Sequence, residues 1–335
     1  MSKSQRGFSL VEMMIAMVVG LIVVAAIISV FLLGNRNYRE DDRFARMQEN
    51  GRYALKLIAG ELANVGFWGG IPNPVEVANG NLPAAAPNPP GDCGVVFDGT
   101  VAFSILSKTT AATAQATFSC INDYSTVKNG TDVFLIQRVN SSPAPVVLAD
   151  TVYLRVQNLS DAKLYVNDNV GYTSTSAIPT LATSYWEYRP HIYYIGETAA
   201  DPVPRLLRKA INKDAEMKTD EEMAEGIEQV RIFFGIDSDN DGVANQYKAS
   251  PTAAELPNIV NARVYILVRS SDKDHGYQDT KTYQLGDTCY NVAGNNGCTA
   301  LTDAAVPSEP AKYHRRVFST TVLLRNPYYL KRLGA

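Results

Sequence analysis

From Phe8 to Leu33 the chain runs for 26 residues with one charge, Glu12, and two hydroxyls, Ser9 and Ser29. As a helix this stretch reaches roughly 39 Å at about 1.5 Å per residue, more than the roughly 30 Å hydrocarbon core of a bilayer. It predicts a membrane-crossing helix, with a short basic leader, residues 1–7, before it. A secretory signal peptide fits poorly, because its apolar region spans only about 7–15 residues and ends at a small-residue cleavage site. An ordinary signal anchor accounts for the length but leaves Glu12 unexplained. A lone carboxylate in hydrocarbon is costly and marks a functional group with a partner. Basic residues do not settle the orientation, since Lys3 and Arg6 flank one side and Arg36, Arg39, Arg43 and Arg46 the other.

Beyond Leu33 the apolar run ends but helical periodicity persists. Phe44, Met47, Gly51, Leu55, Ile58, Leu62 and Val65 recur at spacings of 3 and 4, one stripe of an amphipathic helix. Asp41, Asp42, Arg46, Glu49, Arg52, Lys56 and Glu61 occupy the other faces. Gly66, Gly69, Gly70, Pro72 and Pro74 end it. Residues 71–92 read as a Pro-, Asn- and Ala-rich surface loop, after which β-type runs dominate: 94–106, 131–139, 151–157, 186–196, 204–211, 227–236, 259–269 and 313–325. Continuous apolar runs such as Val133–Ile136 and Val264–Val268 predict strands buried on both faces. With 46% hydrophobic and 19% charged residues, a packed core is expected and wholesale disorder excluded. The fold class predicted is α+β, a long N-terminal helix packed on an antiparallel sheet, with a further β-rich region.

Gly7-Phe8-Ser9-Leu10-Val11-Glu12 resembles the processing motif of type IV prepilins. The resemblance implies cleavage after Gly7 by a prepilin peptidase and methylation of Phe8 as the new N-terminus. It also implies that Glu12 meets the terminal amine of a neighbouring subunit during assembly; two opposite charges in an apolar bundle are far less unfavourable together than apart. Loss of the leader leaves 29 basic against 34 acidic side chains. Met47-Gln48-Glu49-Asn50-Gly51-Arg52-Tyr53-Ala54-Leu55 and Val65-Gly66-Phe67-Trp68-Gly69 are similar to the PilW minor pilins. So are Glu225-Gly226-Ile227-Glu228, Phe234-Gly235-Ile236-Asp237 and Arg315-Arg316-Val317-Phe318-Ser319-Thr320-Thr321-Val322-Leu323-Leu324-Arg325-Asn326. One departure is Gly70, where many relatives have a cysteine. The organisation read from this is a leader at 1–7, a membrane or filament-core helix at 8–33, an amphipathic helix at 34–66 and a β-rich domain at 67–335.

The four cysteines suit an oxidising space outside the cytoplasm. In sequence order they pair Cys93 with Cys120 and Cys289 with Cys298, and the two other connectivities stay open. Asp237-Ser238-Asp239-Asn240-Asp241-Gly242-Val243-Ala244-Asn245 follows the first nine positions of a calcium loop, with Asp237, Asp239, Asp241, Val243 and Asn245 as ligand positions. Lys248 stands where the bidentate glutamate belongs, so an EF-hand is excluded and a plain acidic turn is the alternative. No nucleophile–base pair, zinc-ligand spacing or phosphate loop is visible, so no enzyme and no catalytic cofactor is expected.

The resemblance implies a minor pilin of the type IV pilus that primes assembly and sits at the tip. Other minor pilins, the major pilin, the assembly platform and an adhesin of the PilY type are its implied partners. The implied location is the bacterial inner membrane with the globular domain in the periplasm, then the pilus at the cell surface. Twitching motility and DNA uptake are the processes such pili serve. A minor pseudopilin of type II secretion is one alternative. A tip receptor for surfaces or DNA is another, for which Arg205, Arg208 and Lys209 are the candidate basic patch although the acidic balance opposes broad DNA binding.

Overall fold

The computed structural model describes residues 9–71, 78–79, 93, 103–121, 126–148, 151–158, 161–166, 183–197, 203–211, 219–252, 254–301 and 310–326. Its first element is a single helix, Leu10–Ala63, helical through both Gly20 and Gly34. Compact units divide at Arg46/Met47, thirteen residues beyond the end of the apolar run at Leu33.

In the first unit the helix buries none of its apolar side chains. Those from Leu10 to Leu33 are 51–76% exposed, and the helix is long and apolar enough to cross a membrane. Here Asp42 and Arg46 pair one turn apart at 3.0 Å.

In the second unit the helix contributes Met47, Ala54, Ile58 and Leu62 to a core shared by two sheets. The buried stripe is shifted from the one predicted. Phe44 stays exposed and Leu55 is only partly buried, whereas Ala54 and Glu61 face inward. Small side chains at Gly51 and Ala54 let the backbone approach the sheet.

The first of these sheets is antiparallel, in the order Gln246–Lys248, Ile227–Ile236, Ile259–Arg269, Arg315–Leu323. The second runs Thr219–Glu225, Arg205–Ala210, His191–Glu197, Thr131–Ile136, Phe103–Thr109, with Thr126–Val127 added beside His191–Glu197. Its central strands are covered on both faces: Phe134, Ile136, Tyr193 and Ile195 enter the helix core, while Val133, Leu135, Ile192 and Tyr194 enter a second core. That alternation explains the unbroken apolar runs. A third sheet, with Asp161–Val166 and Val152–Asn158 at its centre, closes the second core. A small sheet of Thr282–Leu285, Thr288–Asn291 and Thr299–Ala300 packs through Leu285 and Tyr290 against Leu267.

Residues 186–196 do not form the one strand predicted. Ser184–Glu187 and His191–Glu197 lie in different sheets, and the break carries Pro190, which has no N–H for a ladder. Thr219–Glu225 was not legible as a strand because it has no apolar alternation. It is held by charge: Arg205 pairs with Glu222 at 3.0 Å, Arg208 with Glu221, and Lys209 with Asp220 at 3.3 Å. The basic patch predicted at these positions is therefore neutralised by the neighbouring strand.

Candidate functional site

Two regions carry the residues singled out from the sequence. One is the exposed arm; the other is the joint where the second part of the helix meets the sheets.

At the start of the arm, Ser9 precedes the first helical turn and Glu12 stands three residues on. The Glu12 carboxylate accepts a hydrogen bond from the Ser9 amide at 2.9 Å. Ser-x-x-Glu is a capping-box spacing, a signal present in the sequence and overlooked there. Glu12 thus secures its own helix end while standing in an apolar arm. Gly7 and Phe8 lie outside the described residues.

The joint gathers the segments similar to PilW. Asn50 donates from Nδ2 to the carbonyl of Glu225 at 3.0 Å, and Asn326 donates to the carbonyl of Val65 at 3.0 Å. A Cβ on Gly51 would stand 2.7 Å from the Phe318 ring. Gly226, at φ +77°, turns the chain between strands, and a Cβ there would meet the Arg269 carbonyl oxygen at 2.6 Å. Glu228 and Arg315, from two of these segments, form a fully buried ion pair through Nε at 2.6 Å and Nη2 at 3.1 Å. Asp279 accepts a further bond from Arg315 at 2.9 Å. Burial alone would raise the Glu228 carboxyl, but the guanidinium outweighs it and holds the pKa at about 2.

Glu61, assigned to a polar face from sequence, is the centre of a second buried cluster. Arg138 grips it with both arms, Nε to Oε2 at 3.0 Å and Nη2 to Oε1 at 2.9 Å, and His191 Nδ1 lies 3.3 Å away. Burial opposes the charge, yet His191 and Arg138 together bring the Glu61 pKa down to about 2. His191 is itself held below its ordinary value, chiefly by burial. The signal was its place on the buried stripe, three residues after Ile58 and seven after Ala54.

The acidic loop follows the strand Ile227–Ile236. Asp237, Asp239 and Asp241 each bring a carboxylate oxygen within 4.8 Å of the others. Asp237 is buried and accepts from the amides of Asn240 at 2.7 Å and Gly242 at 2.9 Å. Burial raises its pKa, and these amides more than reverse that, leaving it lowered. Asp239 and Asp241 are exposed. Asn245 clasps the loop: its Oδ1 accepts from the Ser238 amide at 2.7 Å and its Nδ2 donates to Asp239 at 3.1 Å. Lys248, at the place of the bidentate glutamate, pairs with Glu255 at 2.5 Å. The carboxylates suit a hard cation, and each of the three contributes one convergent oxygen. Val243 is exposed. The structure joins Cys93 to Cys120 and Cys289 to Cys298; Cys93 and Cys120 share a core with Trp68 and Ile71, next to the turn at Gly69 and Gly70.

Residues 2–33 match the prokaryotic N-terminal methylation motif. Residues 192–326 match the family described as type IV pilus-assembly protein W, and they include the Glu225–Glu228 and Arg315–Asn326 segments of the joint. No curated protein matches the chain significantly. Among solved structures, a type IV-like pilin from Thermus thermophilus is 11% identical, with a TM-score of 0.36 over 84% of this chain and 97% of that one; the assignment rests on the two family matches and not on this neighbour. The chain thus carries the prepilin methylation motif at its start and matches the PilW family over residues 192–326, which supply most of the strands behind its helix.

Proposed function

We propose that the protein is a minor pilin that primes type IV pilus assembly and sits at the filament tip. The observation that carries this is the exposed apolar arm with a single carboxylate near its start. Such a surface is stable only in lipid or against other helices, so it supports exchange between membrane and filament core. In this reading the globular domain waits in the periplasm, and the other minor pilins, the major pilin, the assembly platform and a PilY-type adhesin are its partners. Deleting the gene should abolish piliation, and the protein should co-purify with the other minor pilins. Normal piliation with lost surface attachment would favour the receptor reading instead, and lost secretion with normal pili would favour a pseudopilin.

A second reading concerns the acidic loop. The convergence of three aspartates supports weak calcium binding by Asp237, Asp239 and Asp241, in the roughly 10⁻⁴–10⁻³ M range of extracellular modules. Calorimetric titration of the protein with calcium tests it; an absence of heat leaves a plain acidic turn.

A further inference from the structure

Four arginines follow the apolar arm where the usual bias of basic loops gives them no reason to be. Arg36, Arg39, Arg43 and Arg46 recur at spacings of 3, 4 and 3, which places them along one face of the helix. Charge is graded along this segment. Residues 34–39 carry Arg36 and Arg39 and no acid, whereas Glu40, Asp41 and Asp42 all come later. Arg46 is already committed to Asp42 at 3.0 Å. Arg36 and Arg39 are exposed, and between them Tyr38 is 74% exposed.

The spacing from the apolar run sets what these groups can meet. At about 1.5 Å per residue, Arg36 lies roughly 4.5 Å and Arg39 roughly 9 Å beyond Leu33 along the helix axis. The headgroup layer on each side of a bilayer is roughly 5–7 Å deep. Helical side chains lean toward the N-terminus, here back toward the apolar arm, so both guanidinium groups reach into that layer. Tyrosine, like tryptophan, is enriched at the same depth. Guanidinium binds phosphate through two parallel hydrogen bonds.

We propose that Arg36 and Arg39 form a docking face for the phosphates of anionic phospholipids, which holds the subunit at a fixed depth before assembly, with Tyr38 at the same depth on another face of the helix. The inference rests on reading residues 8–33 as membrane-crossing. It explains why bases stand at this end of the span: they answer to lipid charge at the surface, not to topology. Leaving the membrane would then mean exchanging lipid phosphates for water or a neighbouring subunit.

The test uses the full chain in bilayer nanodiscs of phosphatidylglycerol and phosphatidylcholine, with retained lipids counted by native mass spectrometry. At about 1 kcal/mol per arginine near an anionic surface, two arginines give about a 30-fold preference for phosphatidylglycerol at low salt. Arg36→Gln/Arg39→Gln should bring it close to unity, and Arg46→Gln should leave it unchanged. Equal retention of both lipids by the unaltered chain overturns the proposal. So does a double variant that keeps its lipid preference but fails to enter filaments, which would mean that the arginines face another subunit. Failure of the chain to stay in nanodiscs at all would overturn the membrane-crossing reading itself, and with it the proposal.

Discussion

Replacing Glu61 by Gln tests whether the joint between helix and sheets depends on a buried ion pair. The substitution keeps shape and volume and removes one negative charge that faces Arg138 at 2.9 and 3.0 Å. The pKa of Glu61 falls from 4.5 to about 2 in the fold, which at about 1.36 kcal/mol per pH unit is about 3 kcal/mol of stabilisation. The group is nearly inaccessible to solvent, so screening takes little from this figure. It agrees with the roughly 3–5 kcal/mol expected when one member of a buried pair is removed and the other stays charged. For the unit Met47–Ala335, at about 2.1 cal/mol/K of unfolding entropy per residue, the loss corresponds to a fall in Tm of roughly 5 °C. Trp68, buried beside the helix end, reports the transition by fluorescence in the detergent-solubilised full chain. Replacing both partners by apolar residues, Glu61→Leu with Arg138→Met, should recover much of the loss, since no unpaired charge remains. The pH dependence has a defined sign. A carboxyl with a depressed folded pKa stabilises fully above about 4.5 and loses that contribution as pH falls toward 2. His191, depressed from 6.5, acts in the same direction, because the unfolded chain takes up its proton first. The unaltered protein should therefore lose stability steadily on acidification below pH 6.5, and Glu61→Gln should show a flatter profile below pH 4.5. If Glu61→Gln melts within 2 °C of the parent at pH 7 and keeps its pH profile, the pair does not support the joint.

Gly226→Ala should destabilise by at least about 2 kcal/mol, since φ is +77° and the new Cβ meets a backbone carbonyl that cannot swing aside; urea unfolding measures this, and an unchanged midpoint refutes it. Asp239→Ala should lower Tm only when millimolar calcium is present, and a Tm indifferent to chelator in the parent removes the basis for the calcium site. A bulky residue at Gly7 should leave the leader uncleaved, read as intact mass; a mature N-terminus other than Phe8 in the unaltered protein contradicts the processing motif. Glu12→Ala should leave the melting of the globular unit and both disulfides unchanged while reducing filament incorporation. Loss of the disulfides with normal assembly would reverse that assignment.

Elements whose signal is local were legible from residues alone. The apolar arm could be read because hydrocarbon is a uniform solvent and length with composition decides entry into it. The strands Ile227–Ile236 and Ile259–Arg269 could be read because the short apolar runs Ile232–Phe234 and Val264–Val268, rich in β-branched and aromatic residues, favour a pleated, buried surface. The acidic loop and the glycine turns at 66–70 were visible because turn chemistry is set by a few adjacent residues. Pairings between distant segments could not be read in this way. Glu61 looked like one more solvated charge on a helix until Arg138, just past Thr131–Ile136, and His191, at the start of His191–Glu197, came to face it. Thr219–Glu225 looked like a charged loop until Arg205, Arg208 and Lys209 stood opposite it. Segments similar to PilW were recognisable in sequence, but only the fold shows why they occur together: Gly51 admits Phe318, Asn50 holds the turn at Glu225, and Arg315 neutralises Glu228. A charge or a glycine has no fixed role by itself; its neighbours in space determine whether it faces water, fills a gap or completes a buried pair.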